Sequence, residues 1–365
     1  MRGMKSGNAE KMKREFTVKI KPLTPIWTGD ENRKCETLRE TGIIGSLRWW
    51  YEALIRGLGG SACDPTNSKC EGGNHCDACE LFGCTGWARK FRLEVEFNTT
   101  IPEVWVGTRR KRKRGYNYLK RNVAGFMDDG AIVLEFIPLR KISSKEWALL
   151  NKTLEIIANY GGLGAKISQG NGVIEIVENN LPYGDRKPEN AILKKEGNTI
   201  ESPNLDDFFF YKFHIEFTDE ISNLIDKKVF WTHASDHYGF RDDWGNWKKL
   251  WNGYHLLPIA FHIRDAIRHL EENKNRRHAI FGMGGKNAQG SRAFVSHGYK
   301  IDEKTVEVRI WGYNVGNDIK NEVKEQLENL LKEKLFSKRE HNRLLENCTL
   351  TEEKIGKEIL EGVKW

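Results

Sequence analysis

Residues 39–60 read Arg39-Glu-Thr-Gly-Ile-Ile-Gly-Ser-Leu-Arg-Trp-Trp-Tyr-Glu-Ala-Leu-Ile-Arg-Gly-Leu-Gly-Gly60. Gly42 and Gly45 stand where a loop is expected to become a helix, and Ser46 offers the side-chain oxygen of an N-cap for Leu47 onward. Leu47, Trp50, Leu54 and Leu58 then recur at helical spacing as an apolar stripe. Arg39, Arg48 and Arg56 flank it with fixed positive charge. A loop feeding a helix N-terminus leaves backbone N–H groups free, and with arginines close by these favour phosphate. The plain alternative is a capped core helix with solvated arginines, so the rest of the chain has to decide.

Working outward, residues 16–23 alternate apolar and polar side chains, the pattern of a half-buried strand. A loop over 24–41, with a turn at Trp27-Thr-Gly-Asp30, leads into the helix. Residues 59–86 are rich in Gly and Cys without periodicity, and 91–97 alternate again. Residues 131–137 read as a strand and 143–157 as a helix, capped by Ser143 or Ser144 with Glu146 in its first turn. Residues 172–177 read as a short closing strand. Strand, helix, strand, strand, helix, strand is the order of a ferredoxin-like, or RRM-like, domain, here with long insertions at the cysteines and at a basic stretch over 104–123.

Beyond a Pro-, Asn- and Gly-rich linker over 179–207, a second unit loosely repeats the first. A strand at 208–217 is followed by a helix at 256–270, a glycine-rich loop at 280–292 and strands at 293–299 and 306–311. Residues 317–362 carry heavy charge with Leu at helical spacing and predict helices. The reading is an α+β chain with a disordered leader (1–15), a first domain (16–178), the linker, a second domain (208–312) and a C-terminal helical extension (313–365).

A formal charge of +8 and a pI near 9.0 over 365 residues suggest an anionic partner, most simply nucleic acid. No run of eighteen apolar residues predicts a membrane span. Met1 to Glu15 is charged and lacks the apolar core of a secretory signal. The seven cysteines are therefore expected in a reducing cytoplasm, where clustering favours metal over disulfides.

Three motifs carry chemistry. Residues 109–121 hold eight Lys or Arg among thirteen positions: Arg109, Arg110, Lys111, Arg112, Lys113, Arg114, Lys120 and Arg121. Tyr116 and Tyr118 are interleaved, so phosphate neutralisation and base stacking are both on offer, the combination that suits single strands. A glycine loop over 160–172 contains Lys166, Ser168 and Gln169, and a second over 281–292 contains Lys286, Gln289 and Arg292. Glycines let backbone amides approach a polyanion closely, and the cations add charge. Neither loop ends as a Walker motif does, and neither follows a strand as a dinucleotide fingerprint does. Cys76-Asp-Ala-Cys79 has the spacing of a zinc knuckle, with Cys63 and Cys70 able to complete a tetrahedral structural zinc site. Free cysteines, or a disulfide in a thermophilic host, are the alternatives. His233 and His237 share a face only in a helix, which the surrounding Gly and aromatics disfavour, and are read as structural.

At Thr24-Pro-Ile-Trp-Thr-Gly29, Glu40-Thr-Gly-Ile-Ile-Gly-Ser-Leu-Arg-Trp-Trp-Tyr51, Cys79-Glu-Leu-Phe-Gly83 and the two glycine loops, the sequence resembles the RAMP superfamily of CRISPR-associated proteins. Within it the resemblance is to the family of the first subunit of the Cmr (type III-B) effector complex. It covers roughly residues 16–312, and Gly-Ser-Leu-Arg-Trp-Trp is its most specific string. The resemblance implies two tandem ferredoxin-like domains with RNA across their inner faces. It also implies a non-catalytic subunit in antiviral defence, capping the complex near the guide 3′ end and helping to capture target RNA. Its partners would be guide RNA, target RNA and the other Cmr subunits. By motif position the implied RNA contacts are Arg39, Ser46, Arg48, Trp49, Lys166, Gln169, Lys286 and Arg292, with Trp49 turned to RNA and Trp50 inward.

The rival reading is an endoribonuclease. Metal-independent cleavage needs a general base and acid, often His, and in guide-processing relatives that His falls between the first strand and first helix. Here no His precedes His75. Target-cutting relatives use an acidic residue in that loop, a place Asp30 or Glu31 can fill.

Overall fold

The computed structural model describes residues 15–32, 34–63, 70, 75–97, 101, 104–111, 116–127, 131–182, 203–231, 244–286 and 288–361, with backbone alone at 107–111 and 116–120. His233, His237 and Arg112 to Arg114 lie outside the described residues.

The first unit contains β1 (Thr17–Pro22), α1 (Glu40–Gly57), α2 (Asp77–Phe82), β2 (Phe91–Glu96), β3 (Val104–Lys111), β4 (Tyr116–Val123), β5 (Ile132–Pro138), α3 (Ser144–Tyr160) and β6 (Ile174–Asn179). Alternation in β1 buries Val18 and Ile20 and turns Lys19 and Lys21 outward. α3 begins at a capping box in which Ser143 and Glu146 satisfy each other's backbone N–H groups, as the sequence signals. The sheet order is β2-β5-β1-β6, with every neighbouring pair antiparallel. That order with two crossing helices is the ferredoxin-like fold.

The second unit contains β7 (Phe208–Phe217), α4 (Ile221–Asp226), α5 (Trp244–Tyr254), β8 (Leu256–Leu257), α6 (Ala260–Arg268), α7 (Lys274–Phe281), β9 (Ala293–Val295), β10 (Gly298–Lys300), β11 (Thr305–Tyr313), α8 (Asn317–Lys334), β12 (Leu345–Ile355) and α9 (Gly356–Glu361). Its sheet runs β12-β7-β11-β10-β8, with β9 also on β11. Fourth, first, third, second is the order of the first sheet again. The stretch read as a helical extension holds α8 and α9 but also β12, which pairs with β7 along nearly its whole length. The second unit therefore closes only with residues beyond 312. Charge hid this strand: an edge strand can expose charges along most of its length.

β7 serves two cores. Phe209, Tyr211, Phe213, Ile215 and Phe217 enter the core of the second unit, while Phe208 and Phe210 enter that of the first. The apolar run Phe208-Phe-Phe-Tyr211 marks a strand covered on both faces. Across this joint Trp50 meets Phe208 at 5.5 Å and Tyr160 meets Phe210 at 5.2 Å between ring centroids. Buried Arg309 donates to the Ala158 carbonyl at the end of α3 (2.6 Å) and to the Tyr299 hydroxyl (2.8 Å). Each buried aromatic contributes roughly 2–3 kcal/mol, which favours the units packed together.

The described part of the basic stretch, residues 104–111 and 116–123, is a two-stranded ribbon. β3 pairs antiparallel with β4 from Val104 opposite Val123 to Lys111 opposite Tyr116. Its root is apolar: Val104, Val106 and Val123 are fully buried and join the second unit's core with Ile101 and Met127. An insertion in the first unit is thus anchored on the second.

Candidate nucleic-acid interface and four-cysteine centre

The helix predicted from Leu47 begins at Glu40, so Ser46 is not its cap but lies buried inside it. The start of α1 is held by the preceding loop. The Thr28 hydroxyl accepts from the Arg39 N–H (2.8 Å) and donates to the Thr37 carbonyl (3.2 Å). A Cβ at Gly42 would stand 2.8 Å from Thr28 Cγ2, so that threonine fills the space over the first turn. Arg39 keeps an exposed side chain. Arg48 does not reach solvent freely: it donates to Glu52 Oε1 (2.7 Å), the Gly83 carbonyl (2.6 Å) and Cys79 Sγ (3.3 Å). Trp49 is packed against Phe208 (6.0 Å) and Tyr313 (5.9 Å), a contact between the units. Trp50 points inward as expected, its Nε1 donating to the Gly162 carbonyl at 3.0 Å.

The first glycine loop is built into the joint. The Gly172 N–H donates to the Pro25 carbonyl (2.9 Å), Ala165 N–H to Trp27 (2.8 Å), and Asn171 Nδ2 to Ala124 (3.1 Å). From the second unit the His297 N–H donates to the Gly170 carbonyl (3.1 Å). Lys166 adopts φ 56° and lays its Nζ 4.1 Å over the Trp27 ring, and Gln169 is half-buried. The second loop projects. Met283 and Gln289 exchange backbone hydrogen bonds at its neck (3.0 and 2.8 Å), beyond which Gly284, Gly285 and Lys286 are exposed. Arg292 is half-buried at its foot.

That foot is clamped by a residue the sequence reading misses. Arg264 on α6 donates to the carbonyls of Phe281 and Ala293 and to Ser291 Oγ. Burial, with Arg268 and Arg121 adding like charge, pulls its guanidinium down to about 10. Positive charge therefore converges where the root of the ribbon meets the second loop. The available signal is Arg264 and Arg268 at i, i+4, which share a helix face. Of the ribbon candidates, backbone register sets Arg109 opposite Tyr118, Arg110 opposite Asn117 and Lys111 opposite Tyr116. Two of these three register positions thus set a basic residue opposite a tyrosine.

The four predicted cysteines do come together. The sulfurs of Cys63, Cys70, Cys76 and Cys79 all lie within 4.8 Å of one another. Cys63 Sγ is 3.2 Å from Cys79, 3.6 Å from Cys70 and 3.7 Å from Cys76. Metal–sulfur bonds of about 2.3 Å in a tetrahedron give sulfur–sulfur edges of about 3.8 Å, so this set fits a metal ion. Backbone N–H groups already point at the sulfurs: Cys63 and Cys79 donate to Cys76 Sγ, and Cys76 donates to Cys70 Sγ, each at 3.4 Å. Cys84 is not in the set; its sulfur meets the Cys70 carbonyl at 3.6 Å. His75 stacks on Trp87 at 4.5 Å rather than joining the sulfurs.

In the loop ahead of α1, Asp30 Oδ1 accepts from the Lys34 N–H at 2.7 Å, and Glu31 is exposed. No helix among the described residues is long and apolar enough to cross a membrane.

A family model of the RAMP superfamily matches residues 19–175. No curated protein matches the chain in sequence. Among solved structures, a chain of the type III-B Cmr-beta complex bound to cognate target RNA aligns at 15% identity with a TM-score of 0.28. That alignment takes in 45% of this chain and 54% of that one, so this chain spans about half of that relative. Apo Cmr1 from Pyrococcus furiosus aligns at 11% identity and a TM-score of 0.39, over 92% of this chain and 97% of that one. A Cmr-beta complex with cognate target RNA and AMPPnP, in the presence of ssDNA, gives 11% and 0.39 over 82% and 93%.

Proposed function

We propose that this chain, whose residues 19–175 carry the RAMP superfamily match, is a non-catalytic single-stranded RNA-binding subunit of a Cmr effector complex. In this reading it sits near the guide 3′ end and helps capture complementary target RNA in the cytoplasm, with the other Cmr subunits as its protein partners. The observation that carries the RNA reading is the basic run. Its two described arms, residues 104–111 and 116–123, form a paired ribbon rooted in a core by three valines, next to Arg264 and Arg268. Cations fixed on paired backbone neutralise phosphates at less entropic cost than cations on a free loop. The Cmr assignment is supported by the strings over 24–29 and 40–51. Against cleavage stands the use of Asp30 as a turn acceptor. Zinc is the metal the four thiols suit best, as a closed structural site, ordering the segment between α1 and β2.

RNA binding by the full chain across a salt series, with a cleavage gel on the same samples, tests this. Salt-sensitive binding to single strands without products is expected. Replacing Lys111, Arg112, Lys113 and Arg114 together by Ala should weaken binding and flatten the salt slope. An unchanged slope would remove the ribbon as the contact, and site-specific cleavage abolished by Asp30→Ala would make the protein an enzyme.

A further inference from the structure

A divalent ion ringed by four thiolates leaves two uncompensated negative charges. Two of these cysteines, Cys76 and Cys79, are buried, where such charge is costly without a partner. Among the described residues, the three backbone N–H donors noted above go to Cys70 and Cys76, and neither Cys63 nor Cys79 receives one. Cys79 Sγ instead accepts from Arg48 Nη2 at 3.3 Å. The same guanidinium is fixed on its other sides by the Gly83 carbonyl and by Glu52 Oε1, and Glu52 Oε2 in turn meets Arg56 Nη2 at 3.4 Å. The chain Arg48, Glu52, Arg56 carries one net positive charge, delivered to the sulfur from the face of α1. Arg56 extends it by donating to the carbonyls of Ala62, beside Cys63, and of Pro203.

We propose that Arg48 is the counter-charge and positioning residue of the metal centre, not an RNA contact. The inference rests on the zinc reading above. In it, the arginine of the Gly-Ser-Leu-Arg-Trp-Trp string couples α1 to the cysteine segment through Cys79. Lys cannot replace it fully, because an ammonium lacks the planar fork that reaches sulfur, carbonyl and carboxylate at once.

The test uses full-length protein as wild type, Arg48→Lys and Arg48→Met. Zinc stoichiometry is measured first, then zinc affinity by competition with a chromophoric chelator, then the sulfur-to-metal charge-transfer band of the cobalt-loaded forms. Wild type should hold one zinc. Arg48→Met should lose about 10- to 100-fold in zinc affinity and shift the cobalt band to lower energy, since an unbonded thiolate donates more strongly. Arg48→Lys should fall between. RNA affinity at saturating zinc should change less than twofold in both. If Arg48→Met folds poorly, the zinc-dependent rise in Tm of Arg48→Lys serves, and a rise equal to that of wild type overturns the proposal. Unchanged zinc affinity and cobalt band with weakened RNA binding overturn it in favour of an RNA contact. Wild type that takes up no metal overturns the zinc reading itself, a result distinct from either.

Discussion

The loops over 161–172 and 282–292 each follow a helix with closely spaced glycines, a lysine and a polar pair, yet they meet opposite surroundings. In the first, a Cβ at Gly161 would stand 2.3 Å from Trp50, and one at Gly170 would stand 2.5 Å from the Ala260 Cβ and 2.7 Å from His297. In the second, Cβ atoms at Gly284 and Gly290 would meet nothing within 4 Å. Glycine in the first loop makes room for neighbouring protein; in the second, beyond Gly282 at its neck, the space that Gly284 and Gly290 leave is open to a ligand. Similar composition thus serves a joint in one place and a presented surface in the other.

The sharpest way to break that contrast is to add a methyl group to each loop. Gly170→Ala should cost about 3 kcal/mol or more, since it combines the clash with a φ of 108° that L-residues avoid. Urea unfolding of the full chain measures it. A loss under about 1 kcal/mol, the size of an ordinary substitution, would mean that the units are not locked together at this loop.

His297, on which Gly170 rests, sharpens the comparison by pH. Burial, with His262 adding to it, pulls the His297 imidazole from 6.5 down to about 3, so the fold holds it neutral. An unfolded chain takes up that proton below about pH 6.5. Its contribution is therefore fully present above about pH 6.5 and lost as pH falls toward about 3. Wild type should lose Tm over that window more steeply than His297→Gln. Equal slopes would show that another group carries the acid sensitivity.

The contrast between the loops cannot be read from the chain, because it depends on what each glycine faces. What is legible is local: the alternation of β1 and β7, the Ser143–Glu146 box, and the knuckle spacing that brings Cys76 and Cys79 together with Cys63 and Cys70. The misread elements depend on distant partners. β12 is charged because it is an edge, and α1 starts six residues before Ser46 because Thr28 secures its first turn. By motif position in the resemblance, Arg48 and Trp49 of the α1 string are implied to face RNA. The sulfur that holds Arg48 lies 31 residues away and the ring against Trp49 belongs to the second unit, and neither distance is written in a helical period.

If the second loop is the presented one, its cations should matter to RNA and not to the fold. Lys286→Ala and Arg292→Ala together should weaken single-stranded RNA binding by roughly 10-fold and reduce the salt slope by about one to two, with stability unchanged. Lys166→Ala should do less, because its ammonium is already engaged over Trp27. An effect of Lys166→Ala as large as that of the pair would return the first loop to the interface.

The smallest effect is the most discriminating. Gly284→Ala and Gly290→Ala have open space around the new Cβ and no left-handed φ to strain, so stability should move by no more than about 0.5 kcal/mol. Removing a glycine restricts the unfolded chain, so the small shift should be towards greater stability. RNA affinity is the other readout. If it falls while stability holds, the added methyl group is in the way of something that approaches the backbone, which is what glycine permits near a phosphate. If neither quantity moves, Lys286 reaches RNA by its length alone, and the glycines merely turn the chain.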